Sequence, residues 1–167
     1  TIEEYGLIGD CETAALVGID GSLDWLCWPA FDSDACFAAL LGTPQNGRWL
    51  IAPREEVTKV SRSYRGPSLI LETCFETADG TVKLGDFMPP RGKASDVISM
   101  VCGMRGRVRM RMELILRFGF GSDIPWVRRS ADGDALLAIC GQDMTALRTP
   151  VPTRGEHLTT VAEFEVS

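Results

Sequence analysis

Residues 107–118 read RVRMRMELILRF, and this stretch decides the fold class. Its even-numbered positions are all hydrophobic, whereas its odd-numbered positions hold arginines and a glutamate, with Ile115 as the one exception. A period of two predicts a long β-strand with one buried and one solvated face. The clean alternation favours an antiparallel sheet, because strands of parallel sheets are usually buried on both faces.

Shorter segments on either side support the same class. Two hairpins are predicted, one turning at Asp20-Gly21 between ETAALVGI and SLDWLCW, the other at Asp79-Gly80 between SLILETCFET and TVKLGDFM. A third turn is predicted at Asp132-Gly133, and further strands over 59–64, 97–103 and 158–166. Many short strands joined by tight turns predict an all-β, mainly antiparallel fold, which we interpret as a β-sandwich.

One short helix is predicted near residues 33–41. Asp32-Ser33 has the side chains of a helix N-cap, the following residues are apolar, and Gly42 provides a stop signal. Asp34 would complement the positive N-terminus of this helix.

Composition excludes several function classes. The 167 residues suit a single domain over 1–167, and the net charge of −6 argues against nucleic-acid partners and anionic membranes. No apolar run is long enough to span a bilayer, and TIEEYGLIGD lacks the pattern of a secretory signal. Because the chain starts at Thr1 rather than Met, a leader already removed stays an open alternative.

The six cysteines include no Cys-x-x-Cys pair, and the single histidine, His157, is remote from them in sequence. This spacing predicts no metal site. Cys74 and Cys102 stand among apolar residues, so we expect reduced, buried thiols in a cytoplasmic protein, with disulfides as the alternative.

Six acidic residues in or near the window 10–34 are candidates for a catalytic carboxyl pair: Asp10, Glu12, Asp20, Asp24, Asp32 and Asp34. Glycoside hydrolysis uses two carboxyl groups roughly 5–10 Å apart. Structural roles compete with this interpretation, since Asp20 suits the turn and Asp32 suits the helix cap. The motifs of nucleotide-binding loops and of serine hydrolases are absent.

Aromatic residues of the same window are candidates for contact with a sugar or with another domain. Trp25 and Cys27 share one face of the predicted strand 22–28 and are expected in the core. Trp28 lies beside Pro29 at the end of the strand, so it is expected at an interface together with Phe31.

The chain resembles the N-terminal, trehalase-like domain of bacterial glycoside hydrolase family fifteen proteins, which include glucoamylase-like enzymes, glucodextranases and trehalases. The resemblance runs from about Ile2 to the end of the chain and rests on four blocks: EYGLIGDCETAALVGIDGSLDWLCWPAFDSDACFAALLG, NGRWLIAP, SRSYRGPSLILETCFET and DFMPP. It implies an antiparallel β-sandwich followed, in the whole enzyme, by a barrel of paired helices that carries the catalytic glutamates. No segment here can form that barrel.

The resemblance therefore implies a non-catalytic accessory domain, without cofactor, whose partner is a catalytic helical barrel in the same gene or on a partner chain. The whole enzyme would act on α-linked glucosides, and the sequence leaves open which one. Candidates for the substrate rim or the docking surface are Trp28, Phe31, Asp32 and Asp24. The family commonly has Arg where this chain has Ala30, so a docking or substrate role carried by that position is in doubt.

Two alternatives stay open at this point. One is an independent carbohydrate-binding module that uses Trp28 and Phe31, and the other is a free-standing hydrolase with an Asp/Glu pair in residues 10–34. The last predicted strand ends at Ser167 without a closing element, which leaves continuation of the domain open, as well as the oligomeric state.

Overall fold

A computed structural model describes residues 2–167 and confirms the all-β, antiparallel prediction. Its strands, in chain order, are β1 (Gly6–Gly9), β2 (Ala14–Val17), β3 (Ser22–Cys27), β4 (Ala35–Phe37), β5 (Arg48–Pro53), β6 (Val57–Tyr64), β7 (Leu71–Thr77), β8 (Gly80–Phe87), β9 (Ile98–Gly106), β10 (Val108–Ile115), β11 (Trp126–Arg129), β12 (Leu136–Cys140), β13 (Asp143–Leu147), β14 (Arg154–Glu156) and β15 (Thr159–Val166). Short 3₁₀ turns cover Ile2–Glu4, Ala39–Leu41, Pro44–Asn46 and Gly119–Gly121.

Three sheets form the fold. The large sheet has the strand order β1-β2-β3-β5-β10-β15-β14, with β4 paired to β3. A second sheet runs β6-β7-β8-β9, and a third, smaller sheet runs β11-β12-β13.

Strand β10 lies inside the large sheet, between β5 and β15, as its alternating sequence leads us to expect. Met112 pairs with Ile51 on one side and with Ala162 on the other. Met110 and Met112 are buried whereas Arg109 is exposed. The period-two pattern therefore predicted both the strand and its buried face.

The core lies between the large sheet and the second sheet. Phe75 of β7 and Leu84 of β8 belong to the same buried cluster as Met110, Met112 and Ala162 of the large sheet. Full burial of one such large side chain is worth about 1.5–3 kcal/mol, so this cluster supplies much of the stability that holds the two layers together.

All three predicted Asp-Gly turns are present. Gly21 has φ +85°, and a Cβ there would come within 2.5 Å of the Ile51 carbonyl oxygen, so the turn between β2 and β3 requires glycine. The second turn joins β7 to β8, and the third, with Gly133 at φ +81°, joins β11 to β12.

The prediction of a short helix near residues 33–41 is wrong for most of that segment. Residues 35–37 form the buried strand β4, in which Phe37 pairs with Leu26 of β3, and only Ala39–Leu41 makes a 3₁₀ turn before Gly42. Strand pairing and burial outweigh the weak local helix preference of an alanine-rich segment. Asp32 caps no helix.

The predicted core face of β3 also needs correction. Leu26, on the opposite face from Trp25, is the residue completely buried in the main core. Cys27 is buried as expected, but Trp25 is half-buried against a small cluster, with its ring 6.2 Å from that of Phe120.

The six cysteines are free thiols in this structure, and their burial differs from one to the next. Cys27 and Cys36 are buried, but Cys102, which was expected to be buried, is exposed. It lies on β9, which forms an edge of the second sheet, and its side chain is on the solvent side of that strand.

Candidate functional site

The loop of residues 28–33 joins β3 to β4 and is called the rim loop here. It contains three of the four candidate residues. Trp28 is half-buried against the main core and precedes a cis peptide bond to Pro29. Phe31 is 63% exposed, and Asp32 is exposed beside it. The loop therefore holds Trp28 inward and presents Phe31 and Asp32 to solvent.

Hydrogen bonds fix the shape of the rim loop. The Ala30 N–H donates to Ser33 Oγ (3.1 Å), and the Ser33 N–H donates to the Ala30 carbonyl (3.0 Å). The Phe31 N–H donates to the Glu12 carbonyl (3.0 Å), which ties the loop to the segment between β1 and β2. Phe31 is thus an exposed ring on a well-defined turn.

Arg91, from the loop after β8, clamps the rim loop from its inner side. Its Nε donates to Asp10 Oδ2 (2.9 Å), its Nη1 lies 3.1 Å from Glu12 Oε2, and its Nη2 donates to the Pro29 carbonyl. The arginine side chain is 16% exposed and the Asp10 side chain is fully buried. One guanidinium therefore joins three segments, as its fork of donors allows.

The Asp10 carboxylate accepts hydrogen bonds from several donors. Besides Arg91, it accepts hydrogen bonds from the Thr13 N–H (2.8 Å), the Glu12 N–H (3.0 Å) and Ser95 Oγ (2.9 Å). Burial alone would raise the pKa of Asp10, but the bonds from Arg91, Thr13, Glu12 and Ser95 outweigh it and lower the pKa to about 2. The carboxylate is ionised at neutral pH, so Asp10 has no proton to donate as a general acid.

Asp24, the fourth candidate, is not part of the rim loop. Its carboxylate accepts hydrogen bonds from the Tyr5 hydroxyl (2.7 Å) and from Ser22 Oγ (2.5 Å). Burial and this carboxylate both raise the pKa of Tyr5. Asp20 accepts from the Ser22 N–H (3.0 Å), as a turn residue does. These two acids hold the first hairpin and the N-terminal segment in place.

A groove runs beside Trp28, between the large sheet and the segment 145–151, and is called the Trp28 groove here. Its cavity volume is about 570 Å³, within the size range of small-molecule sites. Apolar and aromatic side chains line it, including Trp28 and Trp49. Trp49 Nε1 and Thr145 Oγ1 are buried without a hydrogen-bond partner among the described residues.

Three of the four candidates chosen from sequence lie together in the rim loop, whereas Arg91, Trp49 and Thr145 were not among the candidates. Arg91 lies 81 residues from its partner Asp10 in the chain. The one feature of the sequence that points to this ion pair is an arginine that follows two prolines, in a chain whose acidic residues cluster in the window 10–34.

The described chain offers neither a metal-binding cluster nor a membrane-spanning helix. Between residues 2 and 167, no three His, Cys, Asp or Glu side chains are grouped so that they could hold a metal ion. In the same range, none of the helical segments has the length and apolar character needed to cross a bilayer.

Comparison with known proteins gives a consistent result. The family model described as trehalase-like, N-terminal, matches residues 1–155. Trehalase 1 of Sulfolobus acidocaldarius is 34% identical over 152 residues, which make up 91% of this chain and 26% of that protein. The trehalase of Thermoplasma volcanium is 30% identical over 138 residues (79% of this chain, 22% of that protein), and the trehalase of Mycolicibacterium smegmatis is 38% identical over 85 residues (51% and 13%).

The chain thus spans about a quarter or less of the length of these relatives. No solved structure matches it significantly. Because the family model covers nearly the whole chain, the protein belongs to the family of trehalase-like N-terminal domains.

Proposed function

We propose that this chain is the accessory N-terminal domain of an enzyme that hydrolyses trehalose or a related α-linked glucoside. It would pack on a separate catalytic domain, a barrel of paired helices, through the rim loop. The observation that carries the proposal is the family match over residues 1–155, combined with trehalase relatives of which the chain spans only 13–26%.

The rim loop has the properties of a docking element. A large aromatic ring on a fixed turn loses little conformational freedom when it is covered, and such rings are enriched among residues that dominate interfaces. Phe31 meets this description, since its N–H is bonded to Glu12 and its side chain is 63% exposed. Ala30 has no donor side chain, so recognition at the tip of the loop falls to Phe31 and Asp32.

The carboxylates of the window 10–34 support a catalytic centre outside this chain. A glycosidase pair needs one protonated and one ionised carboxyl group that both face the substrate. Asp10 is buried, ionised and fully hydrogen-bonded, whereas Asp24 is occupied by Tyr5 and Ser22. We also propose a cytoplasmic location, because the six free thiols suit a reducing compartment.

A domain exchange tests this proposal. In Trehalase 1 of Sulfolobus acidocaldarius, the matching N-terminal region is replaced by this chain, and the rate of glucose release from trehalose is compared with that of a deletion lacking the region. We expect the exchanged protein to be active and the deletion to be inactive. Phe31→Ala in the exchanged protein should lower the rate or the thermal stability, and Leu41→Ala, at a residue 71% exposed outside the rim loop, is the matched control.

Two results would contradict the proposal. One is an equal effect of the Phe31 and Leu41 substitutions. The other is steady glucose release by the isolated chain that Asp24→Asn or Asp32→Asn abolishes, because this result would identify a free-standing hydrolase.

The Trp28 groove favours a second candidate function, direct sugar binding. It combines two indoles with a buried donor, Trp49 Nε1, and a buried hydroxyl, Thr145 Oγ1, that lack partners among the described residues. Titration of the chain with trehalose and with maltose, followed by tryptophan fluorescence, tests it. Saturation at millimolar sugar that Thr145→Val weakens would support this candidate, and an unchanged spectrum would reject it.

A further inference from the structure

A second cavity, of about 600 Å³, lies at the end of β10 and is called the Arg117 cleft here. Its walls come from the residues after β10, from the small sheet β11-β12-β13, and from the hairpin β14-β15. The volume lies within the range typical of pockets that hold small organic molecules. None of the rim-loop residues lines it, so it is separate from the candidate docking surface.

Arg117 is a buried cation in this cleft without a counter-ion. The residue is only 6% exposed, and its backbone N–H donates to the Cys36 carbonyl (3.2 Å). Its Nη1 donates to the Leu116 carbonyl (2.7 Å), but no carboxylate of residues 2–167 lies within ion-pair distance of the guanidinium. Burial of an unpaired charge is unfavourable, and it lowers the pKa of this guanidinium.

Two more arginines at the cleft also lack carboxylate partners in the described chain. Arg128 and Arg129 line the cavity and are exposed, and Arg129 reaches only the Thr153 carbonyl, at 3.4 Å. Arg154, a fourth lining arginine, is paired with Glu156 and Glu163. The chain as a whole carries a net charge of −6, so an excess of unpaired positive charge at one concave place attracts anions locally.

The rest of the lining is mixed: it includes the polar residues Thr153, His157, Thr159 and Thr160 and one carboxylate, Glu156, which is paired with Arg111 and Arg154. Apolar side chains form the other part. Leu116, Leu136 and Ala138 contribute to its lining, and Ile124 and Leu158 stand at its opening with 55% and 68% exposure. A bare inorganic ion would leave these surfaces in contact with water. A ligand with both an anionic group and an apolar body would cover them.

We propose that the Arg117 cleft is a binding site for a small organic carboxylate. The carboxylate accepts hydrogen bonds from the Arg117 guanidinium and supplies the counter-ion that this buried charge lacks within residues 2–167. The apolar body of the ligand packs against Leu116, Leu136 and Leu158. Arg128 and Arg129 increase the rate at which the anion enters.

The position of Arg117 favours a small molecule over a protein segment. Arg117 lines a concave cleft with walls from three parts of the fold and is 6% exposed, whereas a protein interface would use exposed apolar residues such as Ile124 and Trp126. This inference is independent of the proposed docking function, because no residue of the rim loop lines the cleft, although the cleft shares Leu114, Leu116 and Leu147 with the Trp28 groove.

The test uses three matched compounds on the isolated chain: 3-phenylpropionate, its uncharged amide 3-phenylpropionamide, and acetate, which has the charge without the apolar body. Binding is followed by the NMR signal of the Arg117 Nε–H group and by calorimetry. We expect saturable binding of 3-phenylpropionate in the millimolar range or tighter, with the amide and acetate each at least tenfold weaker.

Variants identify the residue responsible. Arg117→Gln should weaken 3-phenylpropionate binding at least tenfold without lowering the melting temperature, because the substitution removes an unpaired buried charge. The double variant Arg128→Gln/Arg129→Gln changes two exposed arginines. It should weaken 3-phenylpropionate binding less than Arg117→Gln does, and it should make that binding less dependent on salt concentration. Arg105→Gln, at an exposed arginine of β9 outside the cleft, is the control and should change nothing.

Three outcomes would overturn the inference. The first is the absence of any response to 3-phenylpropionate at about 10 mM. The second is binding of the amide with the same affinity as the carboxylate. The third is an affinity for 3-phenylpropionate that neither Arg117→Gln nor the double variant changes. A failure of all three compounds would leave the exposed residues Ile124 and Trp126 as a surface for a protein partner instead.

Discussion

Replacement of Arg91 by glutamine should loosen the rim loop and destabilise the whole domain. The substitution removes the cation that pairs with the fully buried Asp10 side chain and donates to the Pro29 carbonyl. Loss of one partner from a buried ion pair typically costs about 3–5 kcal/mol, because the other charge is left uncompensated. Arg91 is 16% exposed, so we expect the lower end, about 3 kcal/mol.

The pKa of Asp10 sets the pH dependence of the stability to which Arg91 contributes, together with Thr13, Glu12 and Ser95. The folded state lowers that pKa from 3.8 to about 2, and one pKa unit corresponds to about 1.36 kcal/mol, so ionised Asp10 contributes about 2 kcal/mol at neutral pH. Because the folded pKa is the lower one, this stability is present above about pH 4 and is lost as the pH falls towards 2. At pH 3 roughly half of it remains.

Urea unfolding followed by tryptophan fluorescence measures both effects. The free energy of unfolding of Arg91→Gln should lie about 3 kcal/mol below that of the parent at pH 7, and the gap should shrink by about 1 kcal/mol at pH 3. Arg105→Gln is the control, since this exposed arginine has no carboxylate partner among the described residues. A gap at pH 7 no larger than that of the control, or a gap independent of pH, would refute the role given to the clamp.

Other substitutions test the remaining structural arguments. Gly21→Ala should destabilise by about 3 kcal/mol, because a left-handed φ and a clash with a facing carbonyl act together, whereas Gly141→Ala, with φ +60° and no atom near its Cβ, should cost about 1 kcal/mol in urea titrations. Asp86 is buried and its pKa is raised to about 6, so ionisation of this carboxyl group lowers the free energy of unfolding as the pH rises from about 4 through 6. Asp86→Asn should therefore stabilise the protein by about 3 kcal/mol at pH 7 and have little effect at pH 4. His157 and Leu158 both have positive φ in the two-residue turn of the last hairpin, so an Asn-Gly replacement should raise the free energy of unfolding by about 1 kcal/mol.

The fold was predictable from sequence wherever a local pattern decides the structure. Alternation in β10 marks its buried face because each strand residue points opposite to its neighbours. The Asp-Gly turns at 20–21 and 132–133 were found for a similar reason, since Gly21 and Gly133 adopt a left-handed φ that few other residues tolerate. The conformation of residues 35–37 could not be predicted from a local pattern, because it depends on pairing with β3.

The candidate site was predictable only in part, for a related reason. Trp28, Phe31 and Asp32 lie in one short loop, so sequence proximity alone brought them together. Arg91 and Trp49 reach the same region through strand order in three dimensions, which a single sequence does not encode in any local pattern. Asp24 was grouped with the loop by proximity but belongs to a separate hydrogen-bond network with Tyr5.

Arg91 and Arg117 show why burial and partners must be considered together. Both are arginines in loops that follow long strands, and both are largely buried, at 16% side-chain exposure and 6% residue exposure. Arg91 finds a carboxylate 81 residues away in the chain and thereby fixes a loop, so its charge is already used within the fold. Arg117 finds only the carbonyl of Leu116 and faces an open cavity. A buried charge without a partner destabilises the domain, and an anionic ligand that enters the cleft would remove this cost. The proposed binding site therefore lies at the unpaired Arg117 and not at the paired Arg91.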